Sequence, residues 1–134
     1  MLTELTFYDP SGKIYLTYSG QNPGGQKNAL SEYAWIEGSF DGDTYYIDAE
    51  TPIIRPAQTT TLSKQSLVTD GVDAITISGA PVDAKFTAIN MGTKESVTGI
   101  ISGTDTFSTT VRGAIRLKVE KFPYLTWEAT INAV

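Results

Sequence analysis

The sequence predicts an all-β protein, built as a small N-terminal β module followed by an immunoglobulin-like antiparallel β-sandwich. Three observations predict it. No segment of 11 or more residues places apolar side chains at i, i+3, i+4 and i+7, the period of a helix face. Thr is abundant, with Val, Ile and Tyr beside it, and these residue types favour strands. Gly, Asp, Asn and Pro fall between the apolar runs at short intervals, the rhythm of strands joined by turns.

The first strand is expected over Thr3 to Tyr8, with Thr3, Leu5 and Phe7 on one face. Asp9-Pro10-Ser11-Gly12 follows, in which Pro presets φ and Gly accepts a positive φ, so the chain turns back. Lys13 to Tyr18 returns as the partner strand, with Ile14, Leu16 and Tyr18 alternating against Lys13, Tyr15 and Thr17. Gln21-Asn22-Pro23-Gly24-Gly25-Gln26 reads as a flexible polar connector. Its Gly pair lacks the Gly-Lys-Ser/Thr ending of a phosphate loop. Ala29 to Phe40 is expected as a strand with a short helical turn at its start. Asp41-Gly42-Asp43 is a tight hairpin turn, and Thr44 to Asp48 a strand carrying Tyr45, Tyr46 and Ile47. Asp41, Asp43 and Asp48 do not have the ligand spacing of an acidic calcium loop, so the turn reading is preferred.

Thr51 to Thr59 contains Pro52 and Pro56, which impose extended backbone and deny helix. This stretch is read as the connector, giving residues 1–58 as the aromatic-rich module and 59–134 as the sandwich. In the second part the expected strands are Thr60 to Leu62, Ala74 to Ser78, Ala84 to Asn90, Ser96 to Ile101, Thr106 to Val111, Ala114 to Lys121, and Leu125 to Ala133. Seven short strands at regular spacing are the ground for the immunoglobulin-like expectation. Alternation is clean in the last two. Ile115, Leu117 and Val119 oppose Arg116, Lys118 and Glu120, and Leu125, Trp127, Ala129 and Ile131 oppose the polar residues between them. One wet face and one buried face mark an antiparallel sheet.

Composition narrows the function classes. The 134 residues carry no Cys and no His, which removes disulfides, thiolate metal sites and the side chain most used as a general base near neutral pH. No cofactor is expected. A net charge of −5 with ten Lys and Arg argues against binding to a phosphate backbone. No apolar run approaches the ~20 residues of a membrane span, and Met1-Leu2-Thr3-Glu4 does not open a secretory signal. A hydrolase would need two carboxylates about 5 to 9.5 Å apart. Glu95, Glu120 and Glu128 lie on outward strand faces, where solubility explains them better.

Contact is therefore the expected mode of action. Tyr8, Tyr15, Tyr18, Tyr33, Trp35, Tyr45 and Tyr46 crowd the first 50 residues. Tyr and Trp make good interface anchors, yet a module this small also needs large side chains for its core. Trp35 and Tyr18 are assigned to that core, as is Trp127 in the second part. Tyr15, Tyr45, Tyr46, Arg55 and Tyr124 are the candidate protein-binding residues. Arg55 is either a solvated linker charge or a clamp on one of the modules.

Tyr45-Tyr46-Ile47-Asp48, then Ile54-Arg55-Pro56-Ala57, then Phe122-Pro123-Tyr124-Leu125-Thr126-Trp127-Glu128 resemble small proteins encoded among the tail genes of tailed bacteriophages. Those proteins look like a segment with Gly-x-x-Asp, Tyr-Tyr-x-Asp and Arg-Pro, joined to a β-domain whose last strand starts Pro-Tyr-Leu-x-x-Glu. Gly38 to Asp43 supplies the first of these here. The resemblance covers the middle and the C-terminal end, about a third of the chain. It implies a virion or tail-assembly role, with other phage structural proteins as partners, an oligomeric state, synthesis in the host cytoplasm and no catalytic residue. The other functions weighed are a tail-fibre assembly chaperone and a small acidic inhibitor of a host defence complex.

Overall fold

The computed structural model describes residues 2–134, so Met1 lies outside it. Strand accounts for 54% of the chain and helix for 5%, which makes the protein all-β. The chain divides into two compact units, with the boundary between Pro56 and Ala57 and not at 58/59.

The first unit is built on a three-stranded antiparallel sheet. Strand β1 (Thr3–Tyr8) lies between β2 (Ile14–Gly20) and β3 (Ala34–Glu37). The Asp9–Gly12 turn closes the β1–β2 hairpin. The Asp9 carboxylate accepts the backbone N–H groups of Ser11 and Lys13, and Gly12 takes a φ of 91°. Leu5, Thr6 and Phe7 are all fully buried. A central strand covered on both faces loses the simple alternation of an exposed sheet, which is why Thr6 is inside. Its hydroxyl donates to the Gly38 carbonyl (2.8 Å) and accepts the Phe40 N–H (3.0 Å), so its polarity is satisfied where it is buried.

Between β2 and β3 the expected flexible connector is replaced by a helix, α1 (Pro23–Ala29). Two glycines disfavour it, but Asn22 caps it by accepting the Gly25 N–H, and Pro23 stands in the first turn, where its missing N–H costs nothing. The helix packs against β1 and β2. The long strand expected from Ala29 to Phe40 shrinks to the four residues of β3.

Strand β4 (Tyr45–Asp48) does not pair with β3 through the Asp41-Gly42-Asp43 turn, as expected. Its partner is β5 (Thr51–Ile54), taken from the stretch read as a connector. Ala49 and Glu50 make the turn at φ of 49° and 64°, without a glycine to announce it. Pro52 is tolerated because this ladder has only two strands and both are edges. The hairpin is tied to the β1–β2 turn by the Ile47 N–H donating to the Gly12 carbonyl at 2.8 Å. A Cβ on Gly12 would lie 2.0 Å from the Ile47 oxygen, so this approach requires glycine.

The second unit is one hydrogen-bonded sheet. Its strands are β6 (Thr61–Leu62), β7 (Ser66–Leu67), β8 (Ile75–Asn90), β9 (Ser96–Phe107), β10 (Gly113–Glu120) and β11 (Trp127–Ala133). Ala74–Ser78 and Ala84–Asn90, expected as separate strands, are two halves of β8, which runs through Gly79-Ala80-Pro81 with register shifts on either side of Ala80. Gly79, at φ 74°, lets the strand bend where Thr59 approaches; a Cβ there would lie 2.4 Å from the Thr59 carbonyl oxygen. The same fusion joins Ser96–Ile101 to the start of the expected Thr106–Val111 strand, as β9.

The strand path returns on itself. β8 pairs β10, β10 pairs β11, β11 pairs β7, and β6, three residues before β7, pairs the first half of β8. A single sheet with no helix to cover it can bury one face only by curling over its own core. That core holds Leu67, Ile77, Phe86, Leu117, Val119 and Ile131 among others, with Trp127 packed against it as expected. β9 lies off this path and, among the described residues, pairs only β8. The Gln58 amide pins the start of the unit, donating to the carbonyls of Val119 (2.8 Å) and Leu125 (2.9 Å). Leu125, assigned to the inward face, lies outside β11 and is 37% exposed.

Candidate functional site

Four of the five candidate contact residues lie in the first unit, where the fold sorts them into two groups. The first group surrounds Tyr15. Tyr8, at the end of the central strand, pairs with Ile14 on one side and Ala34 on the other. The residues next to those partners, Tyr15 and Tyr33, therefore emerge at the same end of the sheet. Their rings stack with centroids 4.2 Å apart and planes 8° from parallel. Tyr15 is 55% exposed. The pair borders a cleft of about 370 Å³ together with Asp9, Lys13 and Ile14.

The electrostatics of this group are set by the turn. The Ser11 hydroxyl, followed by the N–H groups of Lys13 and Ser11, holds the Asp9 carboxyl below its ordinary value and keeps it charged. The Tyr33 hydroxyl is pushed up, first by desolvation and then by Tyr15, so it stays a neutral donor. The site offers a flat aromatic platform, a fixed negative charge and the Lys13 ammonium, which suits a surface with both apolar and polar groups.

The second group sits on the β4–β5 hairpin. Tyr45 is half-buried and meets Phe40 edge-on, at 5.3 Å and 78°. Tyr46 is half-buried on the other face of the strand. Tyr45 is paired across the ladder with Ile54, and Tyr46 with Ile53; Ile54 is 67% exposed. Arg55 is not a solvated linker charge. It clamps the first unit to itself, with its N–H donating to the Thr44 carbonyl (2.8 Å) and its Nη1 to the Gly42 carbonyl (3.0 Å). The Asp41-Gly42-Asp43 segment is thereby a held turn, in which the Asp41 carboxylate also accepts the Thr44 N–H at 3.0 Å.

Tyr124 belongs to the second unit, on the turn before β11, with its N–H donating to the Lys121 carbonyl. Trp35, assigned to the core, is 40% exposed on β3, and the Lys27 ammonium of α1 lies 3.5 Å from its ring centroid. That is a cation–π contact on the surface. Tyr18 is half-buried and accepts the Asn22 N–H through its hydroxyl at 2.8 Å. Sequence reasoning placed Tyr33 in the aromatic set but not beside Tyr15, because the two are joined only through the pairing of β1 with both its neighbours. It missed Phe40, Ile53 and Ile54, whose roles depend on β4 pairing β5. Of the three glutamates weighed as a carboxylate pair, Glu120 is bonded to Lys118 at 3.6 Å, while Glu95 and Glu128 are exposed.

Comparison with known proteins returns no match to a family model, to a curated protein or to a solved structure. Among the described residues no helix is long and apolar enough to cross a membrane.

Proposed function

We propose that the chain acts by contact, as a non-enzymatic structural or binding protein of a bacteriophage tail, and that it docks onto other tail components through its first unit. The observation that carries this reading is the stacked, solvent-facing Tyr15–Tyr33 pair beside its cleft. Burying both rings inside a unit this small would have helped its stability, yet one ring is left mostly in water. The neighbouring hairpin adds Tyr45, Tyr46 and the exposed Ile54, held in place by Arg55. The phage assignment rests on the residue resemblance given above. The finer architecture of the second unit, an immunoglobulin-like sandwich, draws support from the antiparallel pairing of β6, β8, β9, β10 and β11. Two facing sheets would be required, whereas the pairing path runs through one.

The test is binding of the purified chain to purified tails of the phage that encodes it, with mass spectrometry of mature particles to establish whether the chain stays there. Tyr15→Ala or Tyr45→Ala should weaken binding by about 1–4 kcal/mol, the span of interface anchors, in proteins whose melting is intact. Glu95→Gln, Glu120→Gln and Glu128→Gln should bind as the unaltered chain does. Loss of function in one of these glutamate variants, with both tyrosine variants normal, would replace contact by carboxylate chemistry.

A further inference from the structure

Strand β9 is the longest open edge of the second unit. It pairs β8 along one side, from Ile75↔Phe107 to Ile89↔Ser96, and no other strand among the described residues along the other. Open edges in natural proteins are guarded by charges, prolines or short length. β9 has 12 residues, and Ser96 to Thr104 contains no charged residue and no proline. Ser96 to Ile100 is exposed throughout, with Val97 at 58% and Ile100 at 66%.

The exposure of Val97 is the informative one. It is paired with Ala88, which is buried, and alternates in phase with the buried Ile101, so it stands on the core side of the sheet. It remains wet because nothing lies beyond it. On that side a cleft of about 410 Å³ opens between Val97, Phe107, Val111 and the buried Ile115. Gly99, between Val97 and Ile101 on the same face, has open space where a Cβ would be. The sheet ends one strand short of covering its own core.

We propose that the missing strand is β9 of a second copy, added antiparallel about a two-fold axis at Gly99. Directly opposed residues share a face in an antiparallel ladder. This alignment therefore sets Gly99 against Gly99 and Val97 against the second copy's Ile101 on the core side. Thr98 meets Ile100 on the outer side. Each contact is between uncharged residues, most of them β-branched, a good cross-strand combination. Two copies at a net −5 repel overall, but the span symmetric about Gly99, Ser96–Ser102, is uncharged and so brings no like charges face to face. The two-fold makes the surface its own complement, as a closed dimer requires. This interface is separate from the aromatic site of the first unit, and its test does not depend on that reading.

The experiment is sedimentation of the full chain over a concentration series. A reversible dimer is expected by about 300 µM, in the range of small interfaces; a monomer up to that concentration overturns the proposal. Ile100→Glu puts a charge on the edge while giving Lys85, its cross-strand neighbour, a partner, so the monomer keeps its fold. It should raise the dimer Kd at least about tenfold. Val72→Glu adds the same charge at a position 84% exposed off the edge and should leave the Kd unchanged. A dimer that survives Ile100→Glu and is lost in Tyr15→Ala would move the interface to the first unit and overturn the proposal. The chain has no cysteine, so Gly99→Cys gives a register-specific check. Opposed Cα atoms about 4.5–5.5 Å apart fall within disulfide reach. Mild oxidation should cross-link this variant rapidly, and Ile100→Glu added to it should abolish the cross-link. Cross-linking no faster than that of Val72→Cys would reject the alignment at Gly99.

Discussion

Replacing Thr6 by Val removes one oxygen atom and leaves the side-chain shape almost unchanged. The hydroxyl lies in a fully buried position and serves two backbone groups on the chain leaving β3, the Gly38 carbonyl and the Phe40 N–H. A buried polar group stripped of its partner costs roughly 1–3 kcal/mol. Both bonds are only part-buried, so the lower end applies to each, about 1 kcal/mol. The methyl that replaces the hydroxyl returns less than ~0.8 kcal/mol. The first unit should therefore lose about 1.5 kcal/mol. At a urea dependence of about 1–3 kcal/mol/M, the unfolding midpoint moves down by ~0.5–1.5 M. The assay is urea unfolding followed by Trp35 fluorescence in a Trp127→Phe background, since the chain has two tryptophans and only Trp35 reports the first unit. Hydrogen exchange of the Phe40 amide locates the effect. Its protection should be lost in Thr6→Val and kept in Thr6→Ser, which retains the hydroxyl. A Thr6→Val protein with an unmoved midpoint and a protected Phe40 amide would refute the assignment of Thr6 as the tie that sets Phe40 against Tyr45.

Gly12→Ala should destabilise the first unit by at least about 1–2 kcal/mol from its left-handed backbone alone. Its Cβ would also displace the Ile47 carbonyl, so the Tyr45–Phe40 contact should loosen in nuclear magnetic resonance spectra. Asp73 is held below its ordinary value first by Lys64 and then by the Val68 N–H, and Asp70 by the N–H groups of Asp73 and Val72. Their folded forms bind protons less readily than the unfolded chain does. Their stabilisation is therefore complete above the ordinary value of 3.8 and is lost as pH falls from there through the lower folded values. The urea midpoint of the second unit, read from Trp127, should drop below pH ~4, and Asp73→Asn should flatten that drop. A fragment spanning Ala57–Val134 should retain its β-type circular dichroism, since its core is built within the unit; a disordered fragment would show that the two units are not separable.

The legible parts of the fold were those where a local signal had no competitor. Asp9-Pro10-Ser11-Gly12 names its own turn, and the strict alternation from Ile115 to Val119 marks β10. α1 was legible in principle, because Asn22-Pro23 is a cap followed by a first-turn proline, but Gly24 and Gly25 outweighed it. β5 was hidden behind Pro52, since a two-stranded ladder forgives what a central strand does not. The Gly79-Ala80-Pro81 run reads equally well as the end of a strand and as a bend within one, and only the pairing of β8 with both β9 and β6 decides between them. For the candidate site, strand alternation pointed to Tyr15 as an exposed contact, and residue type made Tyr45 a candidate, which the fold leaves half-buried. The company they keep, Tyr33 and Phe40, was fixed by pairings between strands and so was invisible to any local pattern.

The strand path of the second unit, which ends on β7 beside the last strand, has a consequence for how that unit is made. Its seam joins residues near 66 to residues near 132, through bonds such as Thr69 N–H to the Val134 carbonyl and Asn132 N–H to the Gln65 carbonyl. Contacts so far apart in the chain form late, because a long loop must be closed before they return anything. During synthesis, β8, β9 and β10 can assemble as a hairpin and a third strand while the chain is still attached to the ribosome. They must then wait, with the β10 edge that takes β11 and one apolar face unpaired, until residues 131–134 have left the exit tunnel. For that interval the nascent chain is at its most adhesive, and the wait ends only when the last strand arrives.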